Sequence, residues 1–302
     1  MTKSNLRSSS VLSYIKLALA TTIWGGALSA GRIVGTTVPP FTTSCIRFII
    51  ALVIMAPSLY LTEKEFPRPT KKEFLIILLL SVAGMGMFNV LLFTALKTTT
   101  AIRSSIMLAF TPVIVTVAAF FIYKEKINIV MGIGIVLSTI GAVLTITRGD
   151  LASVLFEGLA VGDIYMICAV ICWAGYSLII KKAVSRLSPL AVLTYASVIG
   201  VILLLPFTFF EGGWQTLAHL DLKLTASLLY LGLFAAGFSY LWYFQGIKKV
   251  GSSVSSVFLN LEPVAAITIG ILLLGEQLTV PLAAGALLVI SGLFLTAYRK
   301  KK

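Results

Sequence analysis

The stretch Ser252–Glu276 constrains the fold most, because a charge and a helix breaker interrupt an otherwise apolar run. The run exceeds the roughly 20 residues that an α-helix needs to cross a bilayer. Glu262 lies near its middle, where a carboxylate costs about 3 kcal/mol on insertion scales. Pro263 follows and has no N–H, so the helix should kink or unwind there. A charge beside broken backbone at mid-membrane is typical of an ion- or solute-binding position.

The same pattern occurs in the first half of the chain. Ala101–Glu125 aligns with the later stretch at a constant offset of 151 residues, which places Pro112 opposite Pro263. Two halves that each carry a proline-broken helix in the same position are the repeat signal expected of transporters. We therefore predict a first repeat over residues 1–149 and a second, inverted repeat over residues 150–302.

The apolar content of the chain excludes an ordinary soluble domain. Apolar residues make up 58% of it, and the mean hydropathy is +1.02, well above the composition of soluble proteins. The pattern predicts ten membrane spans: Tyr14–Val34, Phe41–Leu61, Phe74–Leu96, Ala101–Tyr123, Ile127–Thr147, Ala160–Ile180, Leu190–Phe210, Leu224–Phe244, Ser252–Leu274 and Thr279–Ala297.

Lysine and arginine are distributed unequally between the two sets of loops. The net charge is +13, but the basic residues sit in short loops rather than on one face or tail, so we predict no nucleic-acid partner. With the N-terminus inside, 18 of the 24 Lys and Arg fall on the inner side and five on the outer side. Because cytoplasmic loops carry the excess of basic residues, we predict a multi-pass cell (plasma) membrane protein with both termini cytoplasmic.

An odd number of spans in each repeat inserts the second half upside down relative to the first. Equivalent residues are then related by an axis in the membrane plane, and the two proline breaks lie at the same depth. Trp24 and Trp173 occupy equivalent positions, 149 residues apart. They are mid-helix, although tryptophan prefers the membrane interface. They either pack between helices or line a cavity, and the sequence leaves both open.

Polar residues inside the spans are candidates for packing or for solute contact. Arg47 lies about two turns into the second span, where it either pairs, contacts a solute or snorkels to the outer interface, and this depth favours snorkelling. Asn89 either forms an interhelical hydrogen bond, the commoner role, or contacts a solute. Cys168 and Cys172 have no histidine nearby, which indicates apolar packing. We predict neither a metal nor a cofactor.

These motifs resemble the EamA-type ten-helix family of the drug/metabolite transporter superfamily. The shared features are Trp-Gly or Trp-Ala in the middle of spans one and six, a proline that opens spans two and seven, and a Ser-rich start of spans four and nine before a central proline. The most specific block runs from Leu261-Glu262-Pro263-Val264 to Gly275-Glu276. The resemblance covers essentially the whole chain, once per half.

The resemblance implies an all-α polytopic membrane protein, with ten transmembrane helices arranged as two inverted five-helix repeats around a central cavity. Carried to this chain, the family's cavity-lining spans imply these substrate-binding residues: Trp24, Asn89, Trp173, Tyr176, Tyr240, Asn260 and Glu262. The helix breaks would lie at Pro112 and Pro263. One departure is Thr111, the first-half equivalent of Glu262, where many relatives have glutamate; a symmetric two-carboxylate mechanism is therefore not implied.

We expect a transporter that exports amino acids or similar small metabolites by alternating access. Aromatic walls would hold an apolar moiety, and Glu262 would bind a substrate amine or shuttle a proton. The rival interpretation of Glu262 is a salt bridge or a hydrogen-bonded link between helices.

The alternative functions are a passive channel or facilitator for small solutes and an intramembrane enzyme. We predict that the protein is not an enzyme, because the one histidine lies outside the spans and leaves Ser/His or multi-His chemistry without its parts. The expected partners are a small-molecule solute and the lipid bilayer. Proton or ion coupling, the direction of transport and the oligomeric state are left open.

Overall fold

The structure of the chain, a computed structural model, describes residues 3–98, 101–147, 149–152, 161–217, 220–265, 268 and 279–297. These ranges contain helices and no strand. In chain order the membrane helices are α1 (Lys3–Gly35), α2 (Pro40–Glu63), α3 (Lys71–Leu80, a π-helical part Ser81–Phe88, then Asn89–Thr98), α4 (Ala101–Ala109 and Thr111–Tyr123), α5 (Ile129–Thr147), α6 (Val161–Ala183), α7 (Pro189–Phe210), α8 (Leu222–Leu229, a π-helical part Tyr230–Ser239, then Tyr240–Val250), α9 (Ser252–Val257, a 3-10 turn Phe258–Asn260, then 261–265) and α10 (Val280–Ala297).

Nine helices within the described ranges are long and apolar enough to cross a membrane. Large apolar side chains cover their outward faces, with Phe121 73% exposed and Phe210 88% exposed, which suits a lipid environment. The helices correspond in order to the predicted spans, although α1 begins at Lys3 rather than at Tyr14. The predicted span Ser252–Leu274 is described only as far as Ala265 and at Thr268, and Gly275 and Glu276 also lie outside the described residues.

The helix contacts follow the symmetry that an inverted repeat requires. The equivalent helices α5 and α10 pack on each other, as do the equivalent helices α2 and α7. Helix α1 packs on α8, and its equivalent α6 packs on α3, so one relation occurs twice. The predicted fold class is thus confirmed: the chain forms two inverted five-helix repeats around a central cavity.

The crossing of α5 and α10 tests this symmetry at single residues. Gly134 faces the carbonyl of Gly292, and Gly141 faces the carbonyl of Gly285; a Cβ at either of the first-half positions would lie 2.7 Å from that oxygen. The repeat pairs Gly134 with Gly285 and Gly141 with Gly292, so each contact maps onto the other when the halves are exchanged. Glycine is needed here because the two backbones touch.

Local sequence sets corresponding features in both halves. Pro40 and Pro189 each occupy the first turn of their helices, where proline's missing N–H loses no hydrogen bond. The π-helical parts of α3 and α8 cover corresponding positions. Ser81 donates to the carbonyl of Ala196 at 2.9 Å, and its equivalent Gly232 faces the carbonyl of Arg47. The same contact between helices therefore occurs in both halves, once at a serine and once at a glycine.

Substituting alanine for Gly141 should destabilise the fold. Its Cβ would meet backbone atoms of Gly285 and Val289 at 2.7 Å, and backbone cannot move aside as a flexible side chain can. Overpacking of this kind costs about 1–3 kcal/mol. We expect Gly141→Ala to lower the thermal unfolding midpoint by several degrees, measured by size-exclusion chromatography of detergent-purified protein after heating.

Gly132 on the same helix is the matched control. Nothing lies within 4 Å of a Cβ placed there, and alanine is the better helix former by about 1 kcal/mol. Gly132→Ala should leave the midpoint unchanged or raise it slightly. Equal losses in the two variants would contradict a close backbone crossing at Gly141.

Candidate functional site

Aromatic rings meet where the two repeats face each other. The rings of Trp24 and Trp173, which are equivalent residues, lie 5.4 Å apart and nearly perpendicular. A residue that contacts its own equivalent lies beside the symmetry axis. Tyr240 and Tyr243 each lie 5.3 Å from the ring of Trp24, and the indole N–H of Trp24 donates to the carbonyl of Ala235 at 2.9 Å. These contacts form a packed aromatic layer across the molecule.

Both α4 and α9 are interrupted beside this layer. In α4 the helix breaks at Phe110, whose N–H bonds to the carbonyl of Met107 at 3.2 Å, and a new helix starts at Thr111 and Pro112. In α9 the 3-10 turn Phe258–Asn260 is followed by Leu261, Glu262 and Pro263. Each proline therefore follows an irregular turn, at corresponding places in the two repeats.

A cavity lies beside the aromatic layer, and the empty space in and around it, open solvent included, is about 890 Å³. Equivalent residues of the two repeats line it in pairs: Trp24 with Trp173, Leu108 with Leu259 and Thr111 with Glu262. The other lining residues include Tyr240, Pro263, Leu96 and Ser105. The side chain of Glu262 is partly exposed in this space. No basic side chain of the described residues lies within ion-pair distance of it.

The three remaining predicted binding residues, Asn89, Tyr176 and Asn260, lie behind the wall of the cavity. All three side chains are fully buried. Tyr176 fills the space above Gly84, and its ring lies 5.3 Å from that of Trp173. In the amide orientation that satisfies both of its ends, Asn260 donates to the carbonyl of Ala109 at 3.0 Å and accepts from the hydroxyl of Ser138 at 2.9 Å. Asn260 thus links α9 to α4 and α5.

Arg47 is the cavity residue that sequence reasoning placed wrongly. The depth of Arg47 in α2 favoured snorkelling to the outer interface, but the side chain is only 4% exposed and lines the cavity. Its Nη1 donates to Oδ1 of Asn89 at 2.9 Å. The interhelical hydrogen bond expected of Asn89 is therefore present, and its partner is this arginine. Only the packing of α2 against α3 brings the two residues together, so no local pattern could have revealed the pair.

The side chains around Arg47 compensate only in part for the hydration that its guanidinium loses on burial. The guanidinium carbon lies 5.4 to 5.8 Å from the ring centres of Phe48, Phe93 and Tyr240, where ring quadrupoles attract a cation. Insertion scales place the cost of an arginine at the bilayer centre at about 3 kcal/mol. Aromatic contacts of about 0.5–2 kcal/mol each offset a large share of such a cost. The described residues supply no carboxylate within ion-pair distance of Arg47.

At the end of α4 away from the α3–α4 connection, a carboxylate joins three helices. Glu125, just after α4, accepts hydrogen bonds from Lys181 of α6 and from Ser252 and Ser253 at the start of α9. The ammonium of Lys181 also lies 4.6 Å from the ring centre of Tyr123. A first-repeat residue is thus tied to two helices of the second repeat. We call Glu125, Lys181, Ser252 and Ser253 the closing cluster.

The ionised form of Glu125 is the one that holds the closing cluster. Burial raises the pKa of this carboxyl, but the hydrogen bonds from Lys181 and Ser253 and the charge of Lys181 outweigh burial and hold the pKa below its ordinary value. A lowered pKa means that the cluster contributes its full stability above the ordinary value of 4.5. That contribution is lost as the pH falls through the lowered pKa.

Comparison with known proteins decides the family. The model of the EamA-like transporter family matches residues 11–147 and again residues 160–298. The uncharacterized transporter YetK of Bacillus subtilis (strain 168) is 31% identical over 290 residues, which is 96% of this chain and 88% of the relative. The chain belongs to the EamA-like transporter family. The resemblance inferred from the motifs is thereby confirmed.

Further relatives of this EamA-like transporter carry the same kind of name. The uncharacterized transporter YyaM of Bacillus subtilis (strain 168) is 29% identical over 85% of this chain and 84% of its own length. An uncharacterized transporter of Archaeoglobus fulgidus is 26% identical over 95% of this chain and 98% of its own. A crystal structure matches with a TM-score of 0.74 at 14% identity, covering 96% of this chain and 97% of that one, and shows the fold alone.

The family makes this protein a multi-pass membrane transporter, and the names of its relatives agree with the expectation that it is not an enzyme. Within the described residues, no group of three or more His, Cys, Asp or Glu side chains is arranged to hold a metal ion.

Replacing Glu125 with glutamine should loosen the closed end. The amide keeps the size of the side chain but loses the ion pair with Lys181. Ser256 on α9 is fully buried beyond the closing cluster, so a cysteine there reports opening. In a background without the three native cysteines, we expect E125Q to speed labelling of S256C by a membrane-impermeant maleimide severalfold at neutral pH.

Glu73 provides the control at the same end of the bundle. It bonds Thr70 at the start of α3 and lies 3.7 Å from the exposed Arg186, away from α9. E73Q should leave the labelling rate of S256C unchanged. A labelling rate that E125Q does not alter would mean that the closing cluster does not hold this end shut.

Proposed function

We propose that this EamA-like transporter sits in the plasma membrane with both termini cytoplasmic and exports amino acids or similar small metabolites by alternating access. The observation that carries the proposal is the central cavity, which equivalent residues of both repeats line in pairs and which holds the carboxylate of Glu262. Concave, mostly apolar sites with a few convergent polar groups are typical of small-solute binding.

The chemistry of the lining suits an amphiphilic solute. Trp24, Trp173 and Tyr240 present aromatic surface for an apolar moiety, and Glu262 presents a negative charge for an amine or a proton. Asn89, Tyr176 and Asn260 act from behind the wall by holding lining residues and helices in place. The breaks before Pro112 and Pro263 let backbone and side chains turn towards the solute.

The difference between the two ends supports alternating access over a passive channel. The cavity lining includes Leu96 and Ser105 beside the α3–α4 connection, while the closing cluster ties α4, α6 and α9 together at the other end of α4. A channel would need a continuous pore. In an inverted repeat, exchange of the two halves' conformations would loosen the closing cluster and tighten the α3–α4 end. The excess of basic residues in the neighbouring loops supports a cytoplasmic position for the closing cluster.

Glu262→Gln tests the role of the carboxylate. Proteoliposomes loaded with a mixture of the twenty standard amino acids report export as the loss of each one over time, followed by mass spectrometry. We expect wild-type protein to release a subset and E262Q to release that subset at least about tenfold more slowly, since a charge-assisted hydrogen bond is worth about 1.5–3 kcal/mol. Glu65, which is exposed in the α2–α3 loop, gives the control E65Q with wild-type rates.

A pH series separates the two roles of Glu262. If the carboxylate carries a proton, an imposed pH gradient drives wild-type export but not E262Q export. If it binds the substrate amine, the variant loses rate equally at every gradient. Wild-type rates in E262Q at every pH would remove Glu262 from the mechanism. Release by wild type that neither saturates nor shows counterflow would favour a channel.

A further inference from the structure

We infer that Arg47, held by Asn89, is the anion subsite of the cavity and binds the carboxylate of α-amino acids with uncharged side chains. This inference rests on the proposed function and narrows its substrate class. It assigns a role to the second charged residue of the cavity, for which the sequence left solute contact open but favoured snorkelling.

Arg47 has hydrogen-bond donors for which the described residues supply no acceptor. A guanidinium offers five N–H donors and no acceptor. Among the described residues, Asn89 accepts one of these bonds at 2.9 Å, and Nε of Arg47 is buried without a partner. Buried polar groups are nearly always hydrogen-bonded, so an unpaired donor beside a cavity requires an explanation. A carboxylate seated in the cavity would accept from the unused donors.

The contacts that hold Arg47 suit the binding of a ligand better than a structural ion pair within the protein. The Oδ1 of Asn89 accepts from the guanidinium, and the Nδ2 of Asn89 donates to the carbonyl of Gly84, which fixes the orientation of the amide. The rings of Phe48, Phe93 and Tyr240 flank the guanidinium without neutralising it. The arginine is thus held in one place with its full charge available, and its planar fork matches the geometry of a carboxylate.

The repeat supports a role other than packing. The equivalent of Arg47 in α7 is Ala196, which is fully buried in its helix pair. The same helix contact is therefore made without a charge in the second half. Likewise, Thr111 stands where the second half has Glu262. Each half contributes one charge that the other half lacks, and both charges line one cavity.

The two charges together define the ligand. Arg47 comes from the first repeat and Glu262 from the second, and they do not pair with each other, since no ion pair joins them among the described residues. A zwitterion carries an amine and a carboxylate on one carbon, so it offers each group a partner of opposite charge and brings no net charge into the membrane. The remaining lining is apolar and aromatic, which favours side chains without charge.

Paired ligands test the inference by equilibrium binding to purified protein. Alanine, valine, leucine, methionine and threonine are each compared with their methyl esters, which keep the amine and lose the carboxylate charge. Intrinsic fluorescence reports binding, because two of the four tryptophans, Trp24 and Trp173, line the cavity. We expect wild type to bind at least one free amino acid about tenfold or more tightly than its ester.

Arg47→Gln should remove that preference selectively. Its affinity for the free amino acid should fall about tenfold or more, while its affinity for the ester should change less than about twofold. R47K keeps the charge without the fork, so it should keep part of the preference. Arg186, exposed near Glu73, supplies the control R186Q with wild-type affinities. If R47Q does not fold, the inference is tested by the binding of R47K and by the ratio of wild-type affinities for the free amino acid and its ester.

Three results would overturn the inference: wild type that binds esters as tightly as free acids, an R47Q variant that weakens both ligands equally, or wild type that binds none of the panel. The outcomes differ from those of the proposed function. Export of solutes that depends on Glu262 but not on Arg47 would leave the transporter role intact and remove only the carboxylate subsite.

Discussion

Backbone inside a bilayer has no water to bond with, so a helix can break there only where protein or a cavity meets the freed groups. This constraint organises the molecule. The breaks before Pro112 and Pro263 cannot face lipid, and they lie instead beside a cavity in the protein interior. In α4 the buried Thr111 marks the break, while side chains farther along the same helix, such as Phe121, are exposed.

The two repeats share the helix contacts that define the fold, and they differ in the charged residues that line the cavity. Contacts such as the crossing of α5 and α10 repeat faithfully, since a Cβ at any of the four glycines would meet opposing backbone. Around the cavity the repeat is broken: threonine replaces glutamate at position 111, and alanine replaces arginine at position 196. One half therefore brings a positive charge and the other a negative charge to a shared space. Two identical halves would have placed like charges together, which repel in a medium of low dielectric constant.

The ion pair of the closing cluster joins two side chains that are only partly buried. At one end the closing cluster ties the repeats through an ion pair of partly exposed groups, with side-chain exposures of 31% for Lys181 and 17% for Glu125. Partly exposed ion pairs are worth little individually, so such a contact can be broken without a large barrier. That property suits the proposed alternating access, in which this end would open.

Much of the fold was predictable, because membrane insertion acts on composition and length. The apolar runs, the offset of 151 residues and the loop charges predict the helices, the repeat and the inversion without any knowledge of contacts. The candidate site was predictable only where it coincides with a local signal. Glu262 next to a proline and tryptophan at mid-span are such signals, and these side chains do line the cavity. Asn260 and Asn89 carried the same polar signal, and both are fully buried and bond neighbouring helices, as the sequence favoured for Asn89.

The sequence by itself determined the number of helices, their order and their alternating insertion, since each depends on residues close together in the chain. Tertiary structure alone decided which side chains meet. Arg47 illustrates the difference: its depth in α2 is compatible with reaching the headgroups, and only the packing of α2 against α3 turns it inward to Asn89. Which way a long side chain points depends on neighbours that are distant in sequence, and a one-dimensional pattern does not contain them.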